Sequence, residues 1–310
     1  MPRAPPTMRR IPGRNGAGST ALWEWPAAGP GPPSATAVLV HATGFHSRCW
    51  DEVVHCLPES MRCICLDMPG HGRSDLPDEA SWRAAARRLL DALADAGVPL
   101  SQASVLAGHS MGGHVCTLLA AVEPVPGLLL IDPVIFSKQR YSDLDSEASR
   151  KRTEMMHRNA MQRKAAFSSA EEMFERFKDR MPYASWKPRV LRDYCEHGLG
   201  DAGPDGMRPL LCKPAVEAAC YVNGNSGSAD PSHELQTIAS RRQRVTLLRA
   251  PVDPENRPFV GSATDPALAA RLGPGVEDVL LEEAGHFIPM THPELVAGHI
   301  ERLARTPSRL

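Results

Sequence analysis

Two apolar patterns alternate along the chain. Short continuous apolar runs recur at Ala37-Val-Leu-Val-His41, Cys63-Ile-Cys-Leu-Asp67, Ser104-Val-Leu-Ala-Gly108, Gly127-Leu-Leu-Leu-Ile131, Val245-Thr-Leu-Leu-Arg249 and Val279-Leu-Leu281. Runs of this length, bounded by turn residues, predict strands buried on both faces. Thr20–Trp25 alternates and predicts an earlier strand. Between the runs, apolar residues return at helical spacing over 50–57, 80–96, 111–122, 266–272 and 293–305, with Gly97 and Gly273 as stops. Strands alternating with helices predict an α/β fold with a mostly parallel central sheet flanked by helices.

The pattern changes after Pro133. From about Ser137 to Gln243 no comparable strand run occurs, and the segment is charged and helical in character. Residues 142–167 carry Met155, Met156 and Met161 among polar faces. Ser169-Ala-Glu-Glu172 has the form of a capping box, and Lys187-Pro188 opens another helix. Residues 134–240 are therefore expected to be a helical insertion between two strands of one sheet. Residues 1–18, rich in Pro, Arg and Gly, are expected to be a disordered tail. The core is assigned to 19–133 and 241–310.

Composition narrows the function classes. The chain has 310 residues, with 35 basic against 36 acidic residues, so nothing favours a nucleic-acid partner electrostatically. No apolar run approaches the roughly 18 residues of a membrane span, and no membrane partner is expected. The eight cysteines form no C-x-x-C pair. They read as free thiols, which with no secretory apolar segment points to a cytoplasmic setting. The histidines are scattered and H-E-x-x-H is absent, so neither a metal nor another cofactor is expected.

The candidate chemistry centres on Gly108-His-Ser-Met-Gly112, a G-x-S-x-G between a predicted strand and a predicted helix. A sharp strand-to-helix turn pushes the central serine out at the C-terminal edge of the sheet, and strain there demands small residues two positions either way. Ser110 is the candidate nucleophile. A serine hydroxyl needs a base and an orienting acid. His286, in a Gly-flanked loop after the last strand run, is the candidate base. The preferred acid is Asp253, in the loop after Val245–Arg249; Asp132, ending another strand, is the alternative, with Asp265 third. The oxyanion donors are assigned to the backbone N–H of Met111 and of Thr43, with Gly44 as alternative to Thr43.

With these residues assembled, the chain resembles the α/β-hydrolases, in particular the capped, lipase- and esterase-like serine hydrolases. The resemblance rests on His41-Ala-Thr-Gly44, Asp67-Met-Pro-Gly-His-Gly-Arg-Ser74, Gly108–Gly112 and Gly285-His286. Ala42 stands where the family's loop usually has Gly, and Ala250 where its acid loop does. The resemblance implies that 134–240 form a lid over Ser110. It also implies hydrolysis of a small ester or related carbonyl substrate through an acyl-enzyme, with no cofactor. C–C bond hydrolysis, thioesterase, acyltransferase and perhydrolase chemistry could use the same triad. A ligand-binding module on the same scaffold is the non-enzymatic alternative.

Overall fold

The computed structural model describes residues 3–29, 31–76, 79, 81–253 and 260–305. Of the features expected above, Met1 and Pro2 of the tail, Ala80 of the helix over 80–96, Pro254 of the loop after Asp253, and core residues 306–310 lie outside them.

The strands are β1 (Thr7–Ile11), β2 (Thr20–Trp25), β3 (Ala35–Val40), β4 (Met61–Leu66), β5 (Val105–His109), β6 (Gly127–Ile131), the short β7 (Ala166–Phe167) and β8 (Arg208–Pro209), β9 (Val245–Arg249) and β10 (Glu277–Leu280). Eight of them form one sheet in the order β1-β2-β4-β3-β5-β6-β9-β10. Pairing is parallel from β4 to β10 and antiparallel where β2 joins β1 and β4. The helices of the first half are α1 (Asp51–His55), α2 (Trp82–Asp95) and α3 (Met111–Val122). Six more fall between β6 and β9: α4 (Lys138–Ser142), α5 (Glu147–Met161), α6 (Ala170–Phe177), α7 (Pro188–His197), α8 (Pro214–Gly224) and α9 (Ser232–Ser240). The last three are α10 (Leu268–Leu272), α11 (Ile288–Thr291) and α12 (Pro293–Arg305).

The continuous apolar runs follow from burial on both faces. In β6, Leu128 and Leu130 join Leu89, Leu93, Val115 and Leu119 on one side. Leu129 and Ile131 join Val53, Val54, Val296 and Ile300 on the other. This two-period alternation places successive leucines of β6 in one core and then the other.

The expected disordered tail needs correction. Thr7–Ile11 pairs antiparallel with Thr20–Glu24 as the edge strand. Its pattern hid it: only Ile11 is buried, and the outward Arg10 meets Asp75 at 2.6 Å. An edge strand with charged side chains has little apolar signal, because its backbone ladder holds it.

Candidate active site

The turn from β5 into α3 forms the elbow. Ser110 has φ 58° and ψ −120°, a region that L-residues rarely occupy. Its two glycine neighbours are required by space. A Cβ on Gly108 would lie 2.3 Å from the Gly112 carbonyl oxygen, and one on Gly112 would lie 2.2 Å from that of Val40. The Ser110 N–H donates to Ile131 O at 3.0 Å, and the Val134 N–H donates to Ser110 O at 3.1 Å. The serine is thus clamped to the C-terminal end of β6 on both sides.

That clamp also brings a carboxylate into line with the serine. Asp132 directly follows β6, is fully buried and has φ 40°. Its Oδ2 accepts from His286 Nδ1 at 2.6 Å, and His286 Nε2 lies 3.0 Å from Ser110 Oγ. Asp132 Oδ1 accepts from the Ala250 N–H at 3.0 Å and from Ser262 Oγ at 2.5 Å. Four lone-pair directions of a carboxylate are thereby aimed by three donors, which hold the imidazole with Nε2 facing the serine. The His286 carbonyl is held in turn by His109 Nε2–H at 2.8 Å.

Asp132 therefore occupies the place expected for Asp253. The sheet order explains the difference. β6 lies beside β5, so the residue ending β6 emerges next to the residue ending β5. Asp253 lies four positions beyond the end of β9, where the loop folds back so that the Ser262 N–H reaches Pro251 O at 2.9 Å. Asp253 lines the cavity beside Ser110 instead. Asp265, the third candidate, is paired with Arg271 at 2.9 Å. Ser262 and His109 were not singled out as supports from the sequence. The adjacency of His109 to Ser110 was the only available signal for the latter.

Of the oxyanion candidates, Thr43 lines both cavities that contain Ser110. Met111 is the first residue of α3, so its N–H has no acceptor within the helix. The loop after β3 turns through Ala42–Phe45, closed by the Phe45 N–H on Ala42 O at 3.2 Å. Gly44 takes φ 79°, which only glycine adopts without strain. Thr43, at the second position of this turn, has an N–H that the turn does not use. Its hydroxyl meets Met111 Sδ at 3.3 Å, so the two donor residues touch.

Buried histidines fix the loops around the site. His41 Nδ1–H donates to Ala42 O at 2.8 Å while its Nε2 accepts from the Met68 N–H at 2.9 Å, so the imidazole is neutral. Burial pushes His41, His46, His71 and His114 down to about 4, and His109 well below the usual histidine value. As possible metal ligands, Asp51, Asp193 and His197 bring one ligand atom each within 4.8 Å of one another. Asp51 is held by the Arg48 guanidinium at 2.6 Å, and none of the three lines a cavity at Ser110.

Two cavities meet at the serine. One, of about 240 Å³, runs toward Trp82, Phe136, Arg140 and Asp253. The other, of about 430 Å³, runs toward Asn159, Tyr183 and Phe287. Both share Thr43, Ser110, Met156, Tyr221 and His286. Met156 and Tyr221 come from α5 and α8, so the helices between β6 and β9 wall both sides. They are anchored by an aromatic cluster in which Phe45 of the turn after β3 and Phe287 beside His286 pack with Phe174, Trp186 and Tyr194. Among the described residues no helix is long and apolar enough to cross a membrane.

Comparison with known proteins agrees with this architecture. A lipase, LipV, of Mycobacterium tuberculosis is 38% identical over 114 residues, which cover 34% of this chain and 40% of the lipase. A pimeloyl-(acyl-carrier protein) methyl ester esterase of Legionella pneumophila is 37% identical over 109 residues, covering 35% of this chain and 41% of the esterase. The matched segments thus span under half of these relatives. The thioesterase domain from the curacin biosynthetic pathway superposes over 96% of this chain and 99% of its own, with a TM-score of 0.71 at 18% identity. E-2-(acetamidomethylene)succinate hydrolase superposes over 97% and 100%, with a TM-score of 0.70 at 20% identity. These two are likenesses of fold. The family model for the alpha/beta hydrolase family matches residues 37–299, which span the elbow, Asp132 and His286. By that match, the chain belongs to the alpha/beta hydrolase family.

Proposed function

We propose that the chain is a serine esterase acting through Ser110, His286 and Asp132. The observation that carries this is the continuous line from Ser110 Oγ to His286 Nε2 at 3.0 Å and from Nδ1 to Asp132 Oδ2 at 2.6 Å. The relatives described as a lipase and a methyl ester esterase support an ester as the substrate.

In this reading Ser110 Oγ attacks the ester carbonyl and its proton passes to His286 Nε2. The carbonyl electron pair moves to oxygen, held by the Met111 and Thr43 N–H groups. Asp132 stabilises the imidazolium and stays ionised. The intermediate collapses, the bond to the alcohol oxygen breaks, and that oxygen takes the proton from Nε2. Water then attacks the acyl-enzyme with His286 as base, and the acid leaves with Ser110 restored. Residues 134–240 serve as a lid that shapes the two cavities and excludes water from the acyl-enzyme's surroundings.

The test is turnover of p-nitrophenyl acetate and butyrate by wild type and by Ser110→Ala. The expected result is hydrolysis by wild type that falls by at least about 10⁴-fold in the variant. Equal rates in the two proteins would contradict the assignment.

A further inference from the structure

The cavity of about 240 Å³ beside Ser110 holds a cation unlike its neighbours. Three arginines around the site each have a carboxylate: Arg83 meets Glu234 at 2.5 Å, Arg271 meets Asp265 at 2.9 Å, and Arg163 meets Glu217. Arg140, on α4, is half-buried and lines the same cavity as Ser110. Among the described residues its guanidinium has neutral partners only. It lies 3.5 Å over the Phe136 ring centroid, and its Nη2 is 3.4 Å from Asn225 Oδ1, at the limit of a hydrogen bond. Arg152 lines the cavity as well. Burial and the neighbouring Arg152 charge push Arg140 down to about 10, so it is still charged at neutral pH but short of negative charge. A half-buried cation stacked on an aromatic face, with no carboxylate partner among the described residues, is poised to pair with one from a ligand.

Resting on the esterase reading above, we propose that this cavity takes esters that carry a free carboxylate, and that Arg140 is the residue that pairs with it. The apolar part of the wall, Trp82, Val134, Phe136, Met156, Val252 and Pro266, suits the connecting hydrocarbon. The rigid fork of a guanidinium matches a carboxylate in plane with two parallel N–H donors. A monoanion fits better than a phosphate dianion, because Asp253 and Asp265 line the same cavity and repel a second negative charge.

The experiment compares kcat/KM for monomethyl adipate with that for dimethyl adipate, together with the monoester and diester pairs from succinate to suberate. Wild type should favour the monoester at one or more chain lengths. In Arg140→Gln that preference ratio should fall by roughly tenfold to a hundredfold, and Arg140→Lys should recover part of it. A ratio that is the same in wild type and Arg140→Gln overturns the inference, as does a wild type that favours the diester throughout. A second readout uses wild type alone. The dicarboxylates from succinate to suberate should slow labelling of Ser110 by a fluorophosphonate, whereas the neutral adipamide should not. Labelling that no dicarboxylate slows overturns the carboxylate site and leaves the esterase reading standing. A folded wild type that is not labelled at all overturns the esterase reading, and this inference with it.

Discussion

Helices α3 and α5 both reach the active site, and they are built in opposite ways. Ten of the twelve residues of α3 are buried, and its first turn is pinned by glycine contacts too tight for any side chain. In α5 only Ala160 of fifteen residues is buried, although Met156 and Arg152 line the cavity at the serine. The first helix belongs to a packed core that cannot shift without losing many contacts. The second is a polar surface helix whose cavity-facing side chains can change at small cost to stability. The difference teaches where each property of the protein resides. In the proposed esterase, the chemistry would rest on the β5–α3 and β6 ends of the sheet, and the choice of ester on the helices inserted after β6.

The sharpest way to break this comparison is at Gly112. An added Cβ would sit 2.2 Å from the Val40 carbonyl, which is backbone inside the sheet and cannot move aside. Gly112→Ala should destabilise the fold by about 3 kcal/mol or more, read as a fall in the urea midpoint, and should abolish turnover. A variant with wild-type stability would show that the elbow is far looser than described.

Acid should next separate the two regions. His41, His46, His71 and His114 are buried with values of about 4, against an ordinary value of 6.5. Because the unfolded chain binds these protons and the folded one does not, the stability they allow is complete above 6.5. It is lost as pH falls from 6.5 toward 4. Each histidine then costs about 2 kcal/mol at pH 5 relative to neutral. His41 and His46 lie on the loop after β3, His71 on the loop after β4 and His114 on α3, and none lies on α5. Urea unfolding at pH 7 and pH 5 should show a large loss of midpoint at the lower pH; an unchanged midpoint would contradict the neutral, buried histidines.

The smallest effect is expected in the insertion. Met156→Ala enlarges the region shared by both cavities without touching the packed core. Preference among p-nitrophenyl esters should shift several-fold toward bulkier acyl groups, with little change in melting temperature. A large drop in melting temperature would place α5 with the core rather than with the adaptable wall.

What could be read from the chain follows the same division. Apolar runs and obligatory glycines left a local record, so the strands from β2 to β6, β9, β10, the elbow and the loop positions of Ser110 and His286 were visible in the sequence. Asp132 and Asp253 were both visible as residues after strands. The choice between them depended on three-dimensional neighbours: Asp132 ends β6, which pairs with β5, whereas the loop after β9 carries Asp253 to the cavity wall, and neither placement leaves a local trace. β1 was hidden for a different reason: its exposed Arg9 and Arg10 look like a tail, and only pairing with β2 makes them a strand. Arg140 was unreadable because which groups surround a cation, here a ring and an amide among the described residues, is a property of three-dimensional neighbours. Ser262 was lost in the same way, since its bond to Asp132 spans 130 positions.

The most direct test of the central claim is the rate at which a fluorophosphonate labels Ser110 in wild type, Asp132→Asn and Asp253→Asn. Losing the acid leaves the imidazole without its orienting acceptor, so Asp132→Asn should slow labelling by about 10⁴-fold. Asp253→Asn should change it by less than about tenfold, as expected for a cavity residue outside the proton relay. The opposite ranking, with Asp253→Asn the crippled protein, would contradict the account and return the acid to the loop after β9.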